Sequence, residues 1–163
     1  MQDILSAMFQ GTLVAIFTAP ASGEPMVDHP RIEATAGCGL AGDRYATNVA
    51  RHDRGYTKIR HVTLIEEETV AALKRDHAID VMPILLRRNL LTRGVPLAHL
   101  VGKKFRIGEV VLKGTELAEP CQGLADLIGQ PVVEPLLHRA GIRAEIVEGG
   151  ELRAGDEIAL MEE

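Results

Sequence analysis

Apolar and polar residues alternate with a period of two along much of this chain, and that period predicts strands. Leu13 to Thr18 reads as the first. Ala19 to Pro25 is a turn-rich break, and Arg31 to Ala36 is the next extended stretch. Ile59 to Ile65 alternates as a strand should. Leu85 to Thr92, after Pro83, reads as another and carries Arg87, Arg88 and Asn89. Lys104 to Ile107 and Val110 to Thr115 flank Gly108-Glu109, the signature of a hairpin. Ile142 to Val147 and Glu157 to Leu160 complete the series, with turns at Gly149-Gly150 and Gly155-Asp156.

Helical periodicity is confined to short segments. Thr63 and Glu66 have the spacing of a capping box, and Glu66, Glu67 and Glu68 then fill a first helical turn. Negative charge is favourable there, so the acidic triplet reads as a solvated, dipole-satisfying feature rather than a metal site. Pro96 opens a helical turn ended by Gly102. Leu124, Leu127 and Ile128 fall at i, i+3 and i+4, a short amphipathic helix closed by Gly129. Val132 to Ala140 reads as a last helix, stopped by Gly141. Seven or eight short strands and three or four short helices, without a βαβ rhythm, predict a mostly β, α+β architecture: a closed β-barrel with short flanking helices.

Composition narrows the function classes. At 163 residues the chain is long enough for one domain, residues 1–163, with a substantial core. Net charge is −5 with both signs interspersed, which argues against a general affinity for nucleic acid. Three Phe, two Tyr and no Trp leave little for a base-stacking platform. No apolar run reaches membrane-spanning length, and Met1 to Gly11 lacks the form of a signal peptide. Cys38 and Cys121 make neither a disulfide framework nor a Cys-x-x-Cys zinc motif, a usage that fits a reducing cytoplasm.

Cys121 is where chemistry enters the picture. It follows Pro120, where the extended segment ending at Ala118 hands over to the predicted helix. A thiol at such a handover faces unpaired N–H groups, which favour the nucleophilic, metal-binding thiolate. The competing reading is a small buried hydrophobe. Upstream, Gly37-Cys38-Gly39-Leu40-Ala41-Gly42-Asp43-Arg44 is a tight loop whose amides could form an anion nest completed by Arg44; the plain alternative is a turn between strands. The polar, basic stretch Asn48 to Lys58 reads as a surface loop.

Several of these segments, in order, carry a resemblance. They are Gly39 to Tyr45 (GLAGDRY), Arg60 to Glu66 (RHVTLIE), Arg87 to Gly94 (RRNLLTRG), Leu100-Val101-Gly102 with Phe105 to Gly108, Glu119-Pro120-Cys121, Arg139 to Val147 (RAGIRAEIV), and Gly155-Asp156. The chain resembles the MOSC family, the domain named for the C-terminus of molybdenum-cofactor sulfurase. The resemblance implies a barrel-like fold in which Cys121 matches the family's functional cysteine.

It further implies molybdenum cofactor (molybdopterin) as the ligand and two uses for Cys121. As a metal ligand, Cys121 would serve a reductase of small N-hydroxylated or otherwise oxidised compounds, with a separate electron donor. As a persulfide, it would serve a sulfur carrier or cofactor-handling module fed by a separate cysteine desulfurase. No pyridoxal phosphate site is evident in the sequence. The expected cofactor-binding residues are Arg44, Arg60, His61, Arg88 and Asn89, with Cys121 both catalytic and metal-ligating. Arg60 and His61 alternate on their strand, so at most one faces a given pocket; Arg60 is taken as the cation and His61 as the second. Arg88 offers a guanidinium fork and Asn89 an amide on one segment. His138 and Arg139 are explained by a helix C-terminus, and Cys38 is a spectator. Outside the family, a cysteine hydrolase would pair Cys121 with His61 or His138.

Overall fold

The computed structural model describes residues 9–47 and 60–162. Its backbone is mostly strand. The strands are β1 (Gly11–Thr18), β2 (Val27–His29), β3 (Arg31–Thr35), β4 (Gly39–Leu40), β5 (Val62–Glu66), β6 (Leu90–Arg93), β7 (Lys104–Ile107), β8 (Val110–Leu117), β9 (Ile142–Glu148), β10 (Gly150–Arg153) and β11 (Glu157–Leu160). Between them lie helices α1 (Arg44–Thr47), α2 (Glu67–His77), α3 (Gln122–Ile128) and α4 (Val133–Leu136). Pro83–Leu86 and Leu97–Leu100 form 3₁₀ turns.

The large sheet runs β11-β7-β8-β9-β5-β6-β1, and β11 pairs back onto β1, which closes a barrel. Closure removes the open edges that would otherwise invite aggregation. β2 hangs on the end of β1, and β10-β3-β4 form a small second sheet. The barrel interior is filled by Leu13, Ile16, Leu64, Leu90, Phe105, Leu112, Ile142 and Ile158, none of them exposed. On β5 and β6 the alternate residues Ile65 and Leu91 face outward and are buried too, beneath Leu73, Leu86, Leu124 and Leu136 from the helices and turns. Two apolar faces explain why these strands read as nearly continuous hydrophobic runs.

The expected barrel with flanking helices is what the backbone forms. Several local expectations are corrected. β5 and β6 are parallel, joined through α2 and the Pro83–Leu86 turn, so one crossover unit does exist. The strand read over Leu85 to Thr92 begins only at Leu90. Pro83 instead starts a 3₁₀ turn, and Arg87 caps it in the left-handed region (φ 62°), leaving Arg87, Arg88 and Asn89 in a loop. The capping box is absent: Thr63 lies inside β5, and Glu66 is the N-cap of α2 without a side-chain cap bond. Leu127 is 54% exposed rather than part of the inward stripe, which Leu124 and Ala125 supply. The last helix is only Val133–Leu136, because the chain leaves it at Leu137 and His138 turns left-handed at φ 65°. His138 is therefore not in a helical last turn. Gly149-Gly150 is not simply a turn; Gly150 begins β10, which pairs with β3. Asn48 to Lys58 lies outside the described residues.

Candidate functional site

At one end of the barrel the chain crosses from β8 to α3 through Ala118-Glu119-Pro120-Cys121. Cys121 is the N-cap of α3, with extended backbone (φ −132°, ψ 164°), and its residue is exposed. The buried-hydrophobe reading therefore fails. Extended backbone at the cap lets its carbonyl accept the first helical N–H groups, from Leu124 (3.1 Å) and Ala125 (3.3 Å). Gly123 lies next to the thiol: a Cβ there would make an ordinary contact, 3.7 Å, with Cys121 Sγ.

Arg88 reaches this end from the loop before β6. Its Nε donates to the Ala140 carbonyl (3.0 Å) and its Nη2 to the Ala118 carbonyl (2.6 Å). Those two bonds pin the guanidinium between the strands leading to and from the Cys121 segment. Among the described residues no carboxylate forms a salt bridge with it. Burial pulls its pKa down to about 10; the neighbouring charges of Arg143 and Arg44 act the same way, while Tyr45 and Cys121 oppose them. It remains a cation at neutral pH.

Arg44 and Tyr45 come from the glycine-rich loop. Arg44 Nη2 donates to the Tyr45 hydroxyl (3.0 Å), and its guanidinium lies 4.8 Å from that ring's centroid. The loop takes the plain alternative, a turn between strands: the amides of Gly37, Cys38, Ala41, Asp43 and Arg44 all donate to backbone carbonyls and form no anion nest. It makes the β3–β4 hairpin, and it also delivers Arg44 to the electrostatic neighbourhood of Arg88. Gly39 is required there: at φ 150° a Cβ would come within 3.2 Å of Ala46 and of the His61 carbonyl.

Arg60 and Arg143 share one carboxylate. Glu116 Oε1 lies 3.6 Å from Arg60 Nη2 and 3.3 Å from Arg143 Nε. His61 turns the other way, as alternation required. It is 5% exposed, and its Nδ1 accepts the Ile146 amide proton (2.9 Å), which places the ring proton of the neutral form on Nε2.

Asn89 lies at 2% exposure in a polar network. Its Oδ1 accepts from the Thr63 amide (3.0 Å) and hydroxyl (3.1 Å). Its Nδ2 donates to the Phe17 carbonyl (3.0 Å) and Asp43 Oδ1 (3.2 Å). Asp43, 1% exposed, also accepts from the amides of Ala19 and Tyr45. Burial holds its carboxyl above the usual carboxylate range, against the pull of those amides, the Arg44 charge and Asn89. The network ties the loop bearing Arg44 to β1, β5 and the segment bearing Arg88.

The structure thus fixes Arg88 on the carbonyls that flank the Cys121 segment, with Cys121, Arg44 and Arg143 close enough to act on its charge, and joins Arg60 to Arg143 through Glu116. His61 and Asn89 have polar groups engaged inside the fold. Sequence reading gave Asp43 only the role of a possible ion-pair partner of Arg44 and gave none to Tyr45, Glu116 or Arg143, although Tyr45 and Arg143 stood within the quoted motifs. His138 Nδ1 pairs with Glu119 Oε2 (2.8 Å), and no hydrogen bond joins either His138 or His61 to Cys121 among the described residues. The hydrolase pairing has no support in this geometry.

Known proteins share both the pattern and the fold. The family model described as "MOSC domain" matches residues 51–159. The chain belongs to the MOSC domain family. Among solved structures, the YuaD protein from Bacillus subtilis superposes with a TM-score of 0.77 at 20% identity, over 94% of this chain and 98% of that one. YiiM from Escherichia coli gives 0.65 at 18% identity, over 95% and 70%. YiiM from Geobacillus stearothermophilus gives 0.68 at 11% identity, over 93% and 75%. At such identities these structures establish a shared MOSC fold. No curated protein sequence matches the chain. No helix among the described residues is long and apolar enough to cross a membrane.

The donor set can be tested against the cofactor with which MOSC domains are associated. Among the described residues no group of three or more His, Cys, Asp or Glu could hold a metal ion. A bare metal would find no cage of side chains there. A metal that brings its own sulfur and oxygen ligands needs only one soft protein ligand, and Cys121 is such a ligand. The phosphate of such a cofactor needs guanidinium forks, and Arg88 and Arg44 provide them. The residues fit the group.

Proposed function

We propose that this MOSC protein binds molybdenum cofactor with Cys121 as the metal's thiolate ligand, and reduces small N-hydroxylated or otherwise oxidised compounds. The observation that carries this reading is the exposed thiol close to a half-buried guanidinium, Arg88, which is held by two backbone carbonyls and by no carboxylate among the described residues. When bound, the cofactor supplies two-electron chemistry at a metal that exchanges oxygen with substrate. The protein's own residues bind and orient. Arg88, fixed by two carbonyls, directs its remaining N–H groups to phosphate or pterin oxygens. Arg44, propped by Tyr45, adds a second fork. Arg60 and Arg143, held by Glu116, flank the cluster. Asn89 and His61 act from inside by fixing the segments that bear these cations. A separate protein delivers electrons, and the site of action is the cytoplasm.

The exposure of Cys121 favours a second reading, a sulfur carrier whose thiol receives persulfide sulfur from a separate cysteine desulfurase. One experiment separates the two. Protein purified anaerobically from a cofactor-producing host is assayed for molybdenum and oxidised pterin, beside Cys121→Ala. Near-stoichiometric metal that is lost in the variant supports the reductase. Absence of both metal and pterin in the wild type, with persulfide mass on Cys121, replaces it with the carrier.

A further inference from the structure

Arg87 and Arg88 are adjacent, yet their side chains serve different places. The left-handed turn at Arg87 (φ 62°) separates them. Arg88 goes to the carbonyls beside Cys121. Arg87 goes the other way, donating Nη1 to the Glu24 carbonyl (2.6 Å), and lines a pocket of about 270 Å³. The remaining walls of that pocket include Pro25, Met26, Ile84, Leu85, Leu127 and Ile128. Leu85 (48% exposed) and Leu127 (54%) are among the few large apolar side chains that the fold leaves in water. Nothing in the barrel or its helices needs them there.

The pocket adjoins the Cys121 site. Leu127 and Ile128 lie on the helix that Cys121 caps, about 10 Å along its axis from the cap. Arg44 is close enough to act on the charges of both Arg87 and Arg88. The lining has a definite chemistry. Met and Pro offer polarizable, flat apolar surface, and sulfur favours aromatic edges. A guanidinium at the rim stacks on aromatic faces and pairs with oxygen acceptors. The volume exceeds the roughly 150 Å³ that suffices for benzene, which leaves room for one or two rings.

We propose that this pocket binds the ring of a small aryl compound whose anionic oxygen group meets Arg87. As the seat of a substrate's ring beside Cys121 the pocket rests on the reductase reading; as a binding site it does not.

Titration with 2-naphthoate, followed by ¹³C-methyl NMR of Met26, Ile84 and Ile128, tests it. The expected result is saturable shifts of these methyls, about tenfold weaker binding of the cationic analogue 1-naphthylmethylamine, and a similar loss in Arg87→Asn, which tolerates the left-handed backbone. Leu127→Asp, at an exposed position, abolishes the shifts while its amide spectrum stays folded. Cys121→Ala binds as wild type does. Absence of saturable shifts, equal affinity for the amine, or unchanged binding in Leu127→Asp overturns the proposal. Saturable binding to protein that holds neither metal nor pterin after anaerobic purification keeps the pocket while the reductase reading fails. Metal-loaded protein that shows no saturable shifts overturns the pocket and keeps the reductase reading.

Discussion

Asn89 is the residue whose removal the structure prices most directly. Its amide accepts from the Thr63 amide and hydroxyl and donates to the Phe17 carbonyl and the Asp43 carboxylate, all at 2% exposure. In Asn89→Ala the Thr63 hydroxyl keeps the backbone amide of residue 89, and Asp43 keeps Ala19 and Tyr45. The Thr63 N–H and the Phe17 carbonyl lose side-chain partners in a dry setting. At about 1–3 kcal/mol for each of the two orphaned groups, the cost is about 2–6 kcal/mol. A domain of this size loses on the order of 10 °C in Tm for that change. Urea and thermal unfolding followed by circular dichroism measure it. Asn89→Asp retains the acceptor but sets a second carboxylate against Asp43, so its loss shrinks as pH falls and one of the two takes up a proton. A loss below about 1 kcal/mol in Asn89→Ala refutes the reasoning. So does normal stability with loss of bound cofactor, because Asn89 would then be a ligand rather than a brace.

Three further outcomes are expected. Gly141→Ala is crippled, by about 3 kcal/mol or more, because φ is 96° and a Cβ would sit 1.8 Å from the Leu64 carbonyl oxygen; soluble yield and Tm report it. Phosphate raises the Tm of wild type at fixed ionic strength through linkage, and Arg88→Met, which keeps an apolar stem, shows no such rise. Asp43 has a folded pKa raised above 3.8 by burial, so its contribution to stability is full below 3.8 and declines as pH rises through the raised value; the difference in unfolding free energy between wild type and Asp43→Asn, followed by urea titration across that window, shrinks in the same direction.

The barrel was legible because alternation survives wherever a strand has one wet face, as in β3 (buried Ile32 and Ala34 between exposed neighbours) and β7 (buried Phe105 and Ile107). It failed around β6, whose central residues are buried on both faces, so nothing in the periodicity marked where the preceding loop ended. Two-residue β4 and the pairing of β10 with β3 depend on partners far away in sequence, which no local window sees. Helix lengths were overread where Pro135 and a left-handed His138 cut a run of good apolar spacing. At the site, Cys121 announced itself through its position between strand and helix. Asn89 was read as a ligand from sequence; its burial and its bonds to Thr63, Phe17 and Asp43 are what the fold adds, because a polar residue beside arginine carries no mark of burial. Asp43 was visible only as the residue before Arg44, and its role appears once β1 and the segment of Asn89 close around it.

The arrangement of charge says more about the site than the cysteine does. Moving one guanidinium out of water is costly, and placing others in its field adds to the cost. Arg88 is half-buried and meets part of both costs, with carbonyl oxygens in place of a counter-ion among the described residues. Among the described residues Arg60 and Arg143 both meet the Glu116 carboxylate, at 3.6 and 3.3 Å, longer than an optimal charge-assisted bond. A fold selected for stability alone would replace Arg88 with an apolar residue or supply a second acid. Retaining the cation makes sense where an anionic ligand completes the cluster, since the ligand then recovers the desolvation that the empty fold has already met. On this argument Arg88→Met raises the stability of the ligand-free protein while removing its response to phosphate. The opposite pair of changes, a less stable ligand-free protein that still responds, would place the anion site elsewhere.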